Sequence, residues 1–174
     1  FEDSELGGTC LNVGCVPTKS ILHCAKVFSE IKCSSKLGIN VKEEISFSWD
    51  KILDRKETIV SKFTKVLNST LSKNLTLVKA KAELVLENDE LIIEAEDNIY
   101  QAKNIILATG SNAFDLPNLK FDHDFILSSD DMFNLKELPK SIVVVGSGAI
   151  GLEWAMILNS FNVDVTIVEK APSL

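Results

Sequence analysis

Two cysteines near the start of the chain, Cys10 and Cys15, are of a type and spacing that could carry out redox chemistry. They stand five residues apart at the beginning of an apolar-periodic segment that predicts a helix. Positions five apart on an ideal helix lie about 8.7 Å from one another, whereas the Cα atoms of a disulfide lie no more than about 6.8 Å apart. If the two cysteines pair, the first turns must be distorted, and Gly14 and Pro17 permit such a distortion.

A disulfide between Cys10 and Cys15 would close a short, bent loop, and such a bridge is more easily reduced than a relaxed structural one. A helix N-terminus stabilises the thiolate of a cysteine, and Lys19 adds positive charge one turn further on. The pattern therefore indicates a dithiol that cycles between its oxidised and reduced forms. The alternative is a pair of buried free thiols that act as small apolar side chains.

A second pattern with chemical meaning is the glycine-rich sequence GSGAIG at residues 146–151. It follows an apolar run over 141–145 that predicts a buried, parallel-type strand, and it precedes a predicted helix over 152–161 and a strand over 163–168. Glu169 ends that strand, 23 positions after the first glycine. Strand, glycine-rich turn, helix, strand and acid together predict a dinucleotide-binding unit.

Each glycine of this unit has a separate predicted task. Gly146 permits the tight turn, Gly148 lets a pyrophosphate approach the backbone, and Gly151 lets the helix pack closely on the strand. The helix N-terminus then faces the negative charge of the ligand. Glu169 is expected to accept a hydrogen bond from the adenosine ribose and to repel a 2′-phosphate, and no arginine follows it, so NAD is favoured over NADP. Glu153 lies in the first helical turn, where an acid is a common capping choice.

The segments between these two patterns predict the elements that position them. The cysteine helix is expected to run to about Ser34, and an amphipathic helix is expected over 48–73, with one buried apolar stripe. Strand candidates over 75–86, 91–94 and 99–107 predict a three-stranded antiparallel meander. Its last strand should be buried and should end in a turn at Ala-Thr-Gly-Ser, residues 108–111, which either approaches a ligand or simply ends the strand. His23 and His123 are expected to be packed or solvated rather than catalytic.

The composition is that of a globular protein, with 45% hydrophobic residues among 174. A net charge of −7 argues against nucleic acid and anionic membranes as partners, and no apolar run approaches the roughly 18 residues of a transmembrane helix. Four cysteines without metal-ligand spacing argue against a metal site and suit a reducing compartment, such as a bacterial cytoplasm or a mitochondrial matrix. Because the sequence begins at Phe1 rather than Met, we interpret it as a fragment.

The sequence GGTCLNVGCVPTK at residues 7–19 closely resembles the redox-active segment of the flavin-dependent disulfide oxidoreductases, the class I pyridine nucleotide-disulfide oxidoreductase family. The form CLNVGC, with Leu11, is most similar to the dihydrolipoamide dehydrogenases of that family. Thr18 stands where glutathione reductases usually have lysine, which argues against that enzyme. Val16, by contrast, is slightly more similar to the mercuric and glutathione reductases. The resemblance covers essentially the whole chain, because the order of cysteine helix, second helix, meander and Ala-Thr-Gly turn also matches.

The resemblance implies an α/β fold with two Rossmann-like domains, one for FAD and one for NAD, both incomplete here, and a three-stranded antiparallel β-meander. Residues 1–115 would belong to the FAD domain, 116–138 to a linker, and 139–174 to the start of the NAD domain. The first βαβ unit, with its FAD pyrophosphate loop, would precede Phe1. The acid that closes that unit falls at Phe1, or at Glu2 if the loop shifts by one residue. The interface domain, with its catalytic His–Glu pair, would follow.

The activity that the resemblance implies is oxidation of protein-bound dihydrolipoamide to lipoamide by NAD⁺, through the cysteine pair and FAD. Cys10 would exchange with the substrate, Cys15 would lie against the flavin, and Lys19 would pair with Glu153. The implied partners are a second subunit in a homodimer and the lipoyl groups of 2-oxoacid dehydrogenase or glycine-cleavage complexes. The alternatives are a mercuric or glutathione-type reductase, or a non-catalytic nucleotide-binding module.

The resemblance also implies two sets of cofactor-binding residues. The FAD set is Gly8, Thr9, Lys19, Ala82, Thr109, Gly110 and Ser111, and the NAD set is Gly146, Ser147, Gly148, Ala149, Ile150, Gly151, Glu153 and Glu169.

Overall fold

The computed structural model describes residues 1–71 and 74–172. The helices are α1 (Gly8–Asn12), α2 (Cys15–Lys32), α3 (Trp49–Thr70) and α4 (Ala149–Ser160), with short 3₁₀ helices at Ser34–Leu37 and Asp131–Asn134. The strands are β1 (Glu83–Glu87), β2 (Glu90–Ala95), β3 (Asn98–Tyr100), β4 (Ser141–Val145) and β5 (Asp164–Val168).

Helix α2 lies at the centre of the packing, between α3 and α4. Its apolar positions Ile21, Ala25 and Phe28 recur at helical spacing and are buried, as the sequence predicts. The helix ends at Lys32, slightly before the predicted end at about Ser34. A 3₁₀ turn follows and closes at Gly38, which has a φ of 79° that glycine adopts without a steric penalty.

The amphipathic segment forms α3, which begins after Ser48, whose hydroxyl accepts a hydrogen bond from the Lys51 amide at 3.4 Å. The predicted helix end, Lys73, lies outside the described residues. The prediction of one continuous buried stripe is wrong for the second half of the helix. Trp49 is buried and Ile52 and Leu53 pack against the hydrophobic core, but Phe63 and Val66 are exposed.

One hydrophobic core joins the cysteine helix to the predicted dinucleotide unit. The rings of Phe28, Phe47 and Phe161 lie with their centroids 4.7–5.7 Å apart, which is the range of favourable aromatic packing. Met132 and Phe133 are also buried in this core, although they come from the segment expected to be a linker. Fully burying a side chain of this size contributes about 1.5–3 kcal/mol, so this segment stabilises the association of α2, α3 and α4.

The predicted antiparallel meander is present as β1, β2 and β3, with register pairs such as Val85 with Ile92 and Ile93 with Tyr100. The prediction that its last strand continues as a buried strand to Leu107 is wrong. Strand β3 ends at Tyr100, and Ile106 is 90% exposed. A strand needs a neighbour for its backbone hydrogen bonds, and no strand in the described part of the chain pairs with this segment.

Strands β4 and β5 are parallel and adjacent and are connected by α4, which gives the predicted βαβ unit. The prediction that β4 is buried on both faces is correct for one face only. Ile142 and Val144 are partly covered, whereas Val143 and Val145 are 58% and 54% exposed. A parallel sheet is normally covered by helices on both faces, and here α4 covers one. No described helix is both long and apolar enough to cross a bilayer.

Candidate functional site

The cysteine pair lies where the helix is interrupted. Cys10 is in α1, Cys15 is the first residue of α2, and the chain turns between them at Val13 and Gly14. The Val13 amide still donates to the Thr9 carbonyl at 2.9 Å, so α1 ends as a closed turn. This interruption is the distortion that five-residue spacing requires if the two cysteines are to meet.

Gly14 makes this arrangement sterically feasible. A Cβ atom at Gly14 would lie 2.8 Å from the Thr9 carbonyl oxygen and 3.2 Å from the Cys10 Cα. The Thr18 hydroxyl donates to the Gly14 carbonyl at 2.6 Å and holds this residue against the first turn of α2. Pro17 is fully buried in that turn, where a missing backbone N–H has no cost. The glycine therefore lets α1 fold back onto the start of α2.

Both thiols of the pair are free and exposed, so they do not serve as buried apolar side chains. A hydrogen bond with the Cys15 side chain, with smaller contributions from desolvation and from the negative charge of Cys15, raises the pKa of the Cys10 thiol above its ordinary value. Cys15 stands at the N-terminus of α2, where the helix dipole favours a negative charge. The raised pKa thus favours the protonated thiol at Cys10.

An ion pair links the cysteine helix to the helix of the βαβ unit. The Lys19 ammonium of α2 contacts the Glu153 carboxylate of α4, as the family resemblance implies. The side chains are 59% and 29% exposed, and an exposed pair stabilises a fold by about 0–1 kcal/mol. Its main effect is therefore positional: it holds the start of α2 close to the start of α4.

The glycine-rich turn has the local geometry predicted from its sequence. Gly146 has a φ of 101°, in the region that favours glycine. A Cβ atom at Gly151 would lie 2.4 Å from the Gly146 carbonyl oxygen and 3.3 Å from Val144 Cγ1, so α4 packs directly on β4. A Cβ atom at Gly148 would meet nothing within 4 Å. The backbone is therefore open to a ligand at the N-terminus of α4.

Glu169 lies beside this turn, at the end of β5. Its carboxylate accepts hydrogen bonds from the Ala171 amide at 2.7 Å and from the Ser147 amide and hydroxyl at 2.8 and 2.6 Å. These bonds, that from Ala171 first, lower the pKa of Glu169 to about 2. The group is therefore a carboxylate at any physiological pH, in a position next to the open backbone of Gly148.

The residues assigned to FAD from the sequence lie partly at one cleft and partly outside it. Ala82 and Thr109 line one cleft of about 350 Å³, together with Phe1 and Glu2. Gly110 follows with a φ of 77°. The others lie on the cysteine segment, at Gly8, Thr9 and Lys19, and on the exposed segment at Ser111.

Two side-chain contacts near the site were not predicted from the sequence. Arg55 of α3 donates to the Ser20 hydroxyl at 2.9 Å and so supports α2 next to Lys19. It is the only arginine in the chain. This feature could have drawn attention to it, but the pattern of apolar residues does not reveal it. The second contact is the hydrogen bond from the Ser147 hydroxyl to Glu169; Ser147 was predicted as an NAD-binding residue, but this bond was not.

The histidines lie outside these sites. His23 is exposed on α2, and the His123 ring lies 3.0 Å from an Asp131 carboxylate oxygen. The described residues contain no cluster of acids, histidines and cysteines suited to a metal ion.

These features are those of a redox protein that combines a dithiol with a dinucleotide-binding unit. They are the exposed thiol pair, the ion pair that connects its helix to the glycine-rich turn, and the antiparallel meander. The chain belongs to the pyridine nucleotide-disulphide oxidoreductase family, whose family model matches residues 2–174. Proteins of this family use FAD and NAD(H), the two cofactors expected from the sequence.

Individual relatives narrow the comparison. The chain is 38% identical to a dihydrolipoyl dehydrogenase of Acholeplasma laidlawii, over 97% of this chain and 51% of the relative. It is 39% identical to a dihydrolipoyl dehydrogenase of Bacillus subtilis, over 100% of this chain and 39% of the relative. The crystal structure of LpdA from Mycobacterium tuberculosis has the same fold, with a TM-score of 0.84 and 24% identity over 98% of this chain and 38% of LpdA. The chain therefore spans about half the length of these relatives or less.

Proposed function

We propose that the chain is the central part of an NAD-dependent dihydrolipoyl dehydrogenase. The observation that carries the proposal is the exposed thiol pair at the start of α2. The ion pair between Lys19 and Glu153 connects this helix to α4, the helix of the glycine-rich turn. The names of the relatives at 38% and 39% identity support this substrate over other disulfides. Residues 1–115, 116–138 and 139–174 would then be the FAD domain, the linker and the start of the NAD domain.

The proposed chemistry at the cysteines is thiol–disulfide exchange. A substrate thiolate attacks Cys10 Sγ of the Cys10–Cys15 disulfide, the S–S bond breaks, and Cys15 leaves as a thiolate at the N-terminus of α2. The second substrate thiol loses its proton and attacks the substrate sulfur of the mixed disulfide, and Cys10 leaves and takes up a proton. The substrate has then lost two electrons and two protons, and the electrons reside in the reduced cysteine pair.

The raised pKa of Cys10 suits its role, because this thiol takes up a proton when it leaves the mixed disulfide. When bound, FAD would supply the two-electron redox chemistry that couples the dithiol to NAD⁺. The open backbone at Gly148 and the N-terminus of α4 would bind the NAD pyrophosphate. Glu169 would bind the adenosine ribose.

The cleft that contains Ala82 and Thr109 would hold part of FAD. Lys19, oriented by Glu153, would lie near the flavin beside Cys15. The proposed partners are a second copy of the protein, in a homodimer, and the lipoyl groups of a 2-oxoacid dehydrogenase or glycine-cleavage complex.

The test is Cys15→Ser in the protein as its gene encodes it. We expect loss of dihydrolipoamide turnover with NAD⁺, while NADH oxidation by an artificial dye acceptor continues, since that reaction needs the flavin but not the dithiol. Cys33→Ser is a matched control because Cys33 is also an exposed free thiol but lies beyond the end of α2. Full dihydrolipoamide turnover in Cys15→Ser would refute the proposal. If the wild-type protein instead reduced glutathione disulfide with NADPH, the family assignment would stand but the proposed substrate would be wrong.

A further inference from the structure

Ser147 is the second residue of the glycine-rich turn. The dinucleotide-binding pattern requires no particular side chain at this position. In the structure the Ser147 hydroxyl donates to Glu169 Oε2 at 2.6 Å, and the Ser147 amide donates to the same oxygen at 2.8 Å. Both bonds go to a charged acceptor, which makes them stronger than bonds between neutral groups. The turn between β4 and α4 is therefore fastened to the end of β5 through one carboxylate oxygen.

Counting acceptor sites shows what remains for a ligand. A carboxylate offers about four lone-pair positions. Two on Oε2 are used by Ser147, and one on Oε1 is used by the Ala171 amide at 2.7 Å. One position on Oε1 is left, which matches a single ribose hydroxyl. Three bonds from two sides of the carboxylate also keep it from turning away when a phosphate approaches.

We propose that Ser147 is a positioning residue that holds the Glu169 carboxylate in place and thereby enforces discrimination against a 2′-phosphate. This inference rests on the proposed NAD site. Without the hydroxyl, Glu169 keeps only backbone amides as partners, and its side chain can rotate away from a 2′-phosphate. With the hydroxyl, the negative charge stays in the ribose position, and a phosphorylated ribose meets it directly.

The experiment measures binding of two flavin-independent probes by calorimetry: ADP-ribose and 2′-phospho-ADP-ribose. The readout is the ratio of their dissociation constants in wild type, Ser147→Ala and Ser147→Thr. Ser147→Ala should lower the preference for ADP-ribose by about tenfold, the scale of one hydrogen bond to a charged group. Ser147→Thr keeps a hydroxyl at this position and should therefore retain the wild-type preference for ADP-ribose. Ser160→Ala is the control, since this serine of α4 donates to the Met156 carbonyl instead.

A second variant separates positioning from a general effect on folding. Glu169→Gln should lower the same preference, and adding Ser147→Ala to it should change the ratio no further, because the hydroxyl acts through the carboxylate. The inference would be overturned if Ser147→Ala lowered the preference for ADP-ribose as much in the Glu169→Gln background as in wild type. An unchanged ratio of dissociation constants in Ser147→Ala alone would also overturn it. Absence of ADP-ribose binding to the wild-type protein would instead overturn the proposed NAD site and the inference with it.

Discussion

The contrast between two glycines of the dinucleotide turn gives the sharpest prediction. Gly151→Ala would place a methyl group 2.4 Å from the Gly146 carbonyl oxygen, where ordinary contacts begin at 3.4 Å. The neighbouring atom is backbone, and Val144 Cγ1 at 3.3 Å blocks the other side. Helix α4 must therefore shift away from β4. Overpacking of this kind costs about 1–3 kcal/mol, and each kcal/mol lowers Tm by about 2–4 °C in a chain of this size.

Gly148→Ala is the matched comparison. The added methyl group meets no atom within 4 Å, and the φ of −66° and ψ of 172° are open to alanine. The gain from a stiffer unfolded chain, about 0.4–1 kcal/mol, is opposed by the poorer N-cap that alanine makes, so we expect a nearly unchanged Tm. The methyl group would, however, occupy the backbone face that a pyrophosphate needs.

The assay is a thermal melt followed by circular dichroism, with ADP-ribose binding measured by calorimetry on the same samples. Gly151→Ala should melt several degrees below wild type. Gly148→Ala should melt near wild type and bind ADP-ribose at least about tenfold more weakly, a loss of about 1.4 kcal/mol. A wild-type Tm for Gly151→Ala, or wild-type affinity for Gly148→Ala, would refute the assignment of separate roles to the two glycines.

Three further predictions concern other parts of the chain. Gly14→Ala should separate α1 from α2, because its methyl group would lie 2.8 Å from a backbone oxygen; thiol counting under mild oxidation should show slower Cys10–Cys15 bridging, and an unchanged rate would contradict this. The pKa of Glu169 falls from 4.5 to about 2 on folding, so its contribution to stability is present above about pH 4.5 and is lost towards pH 2. In urea titrations Glu169→Gln should therefore be less stable than wild type at pH 7 but equal near pH 2, and a constant difference would refute it. Glu87→Lys should replace a like-charge pair across β1 and β2 by an opposite one and raise stability by about 0.2–1 kcal/mol; a gain that survives 1 M salt would contradict this cause.

The features that sequence reasoning located best are those set by local chain geometry. The helix interruption near Gly14 follows from residue types within a few positions of it, as does the turn at Gly146. The ion pair of Lys19 with Glu153 joins residues 134 positions apart. Periodicity cannot reveal such a contact, and it was expected only from the resemblance to a known family.

The features that sequence reasoning missed depend on what packs beside a segment. The run that ends at Leu107 has the composition of a buried strand, but a strand forms only where a neighbour supplies hydrogen bonds. Met132 and Phe133 stand in a turn-rich segment with no period to read, and they are nevertheless buried in the core. The bond from Ser147 to Glu169 depends on a loop meeting the end of β5, which spacing alone does not specify.

The central claim is that Cys10 and Cys15 form a dithiol that exchanges electrons with a bound flavin. Anaerobic titration of the protein, as its gene encodes it, with dihydrolipoamide tests this claim most directly through visible absorption. We predict a flavin spectrum that gains a long-wavelength shoulder after two electrons, because the Cys15 thiolate would then lie against the flavin ring. The shoulder should be absent in Cys15→Ser. A protein without flavin absorption, or a flavin spectrum that dihydrolipoamide leaves unchanged, would contradict the account.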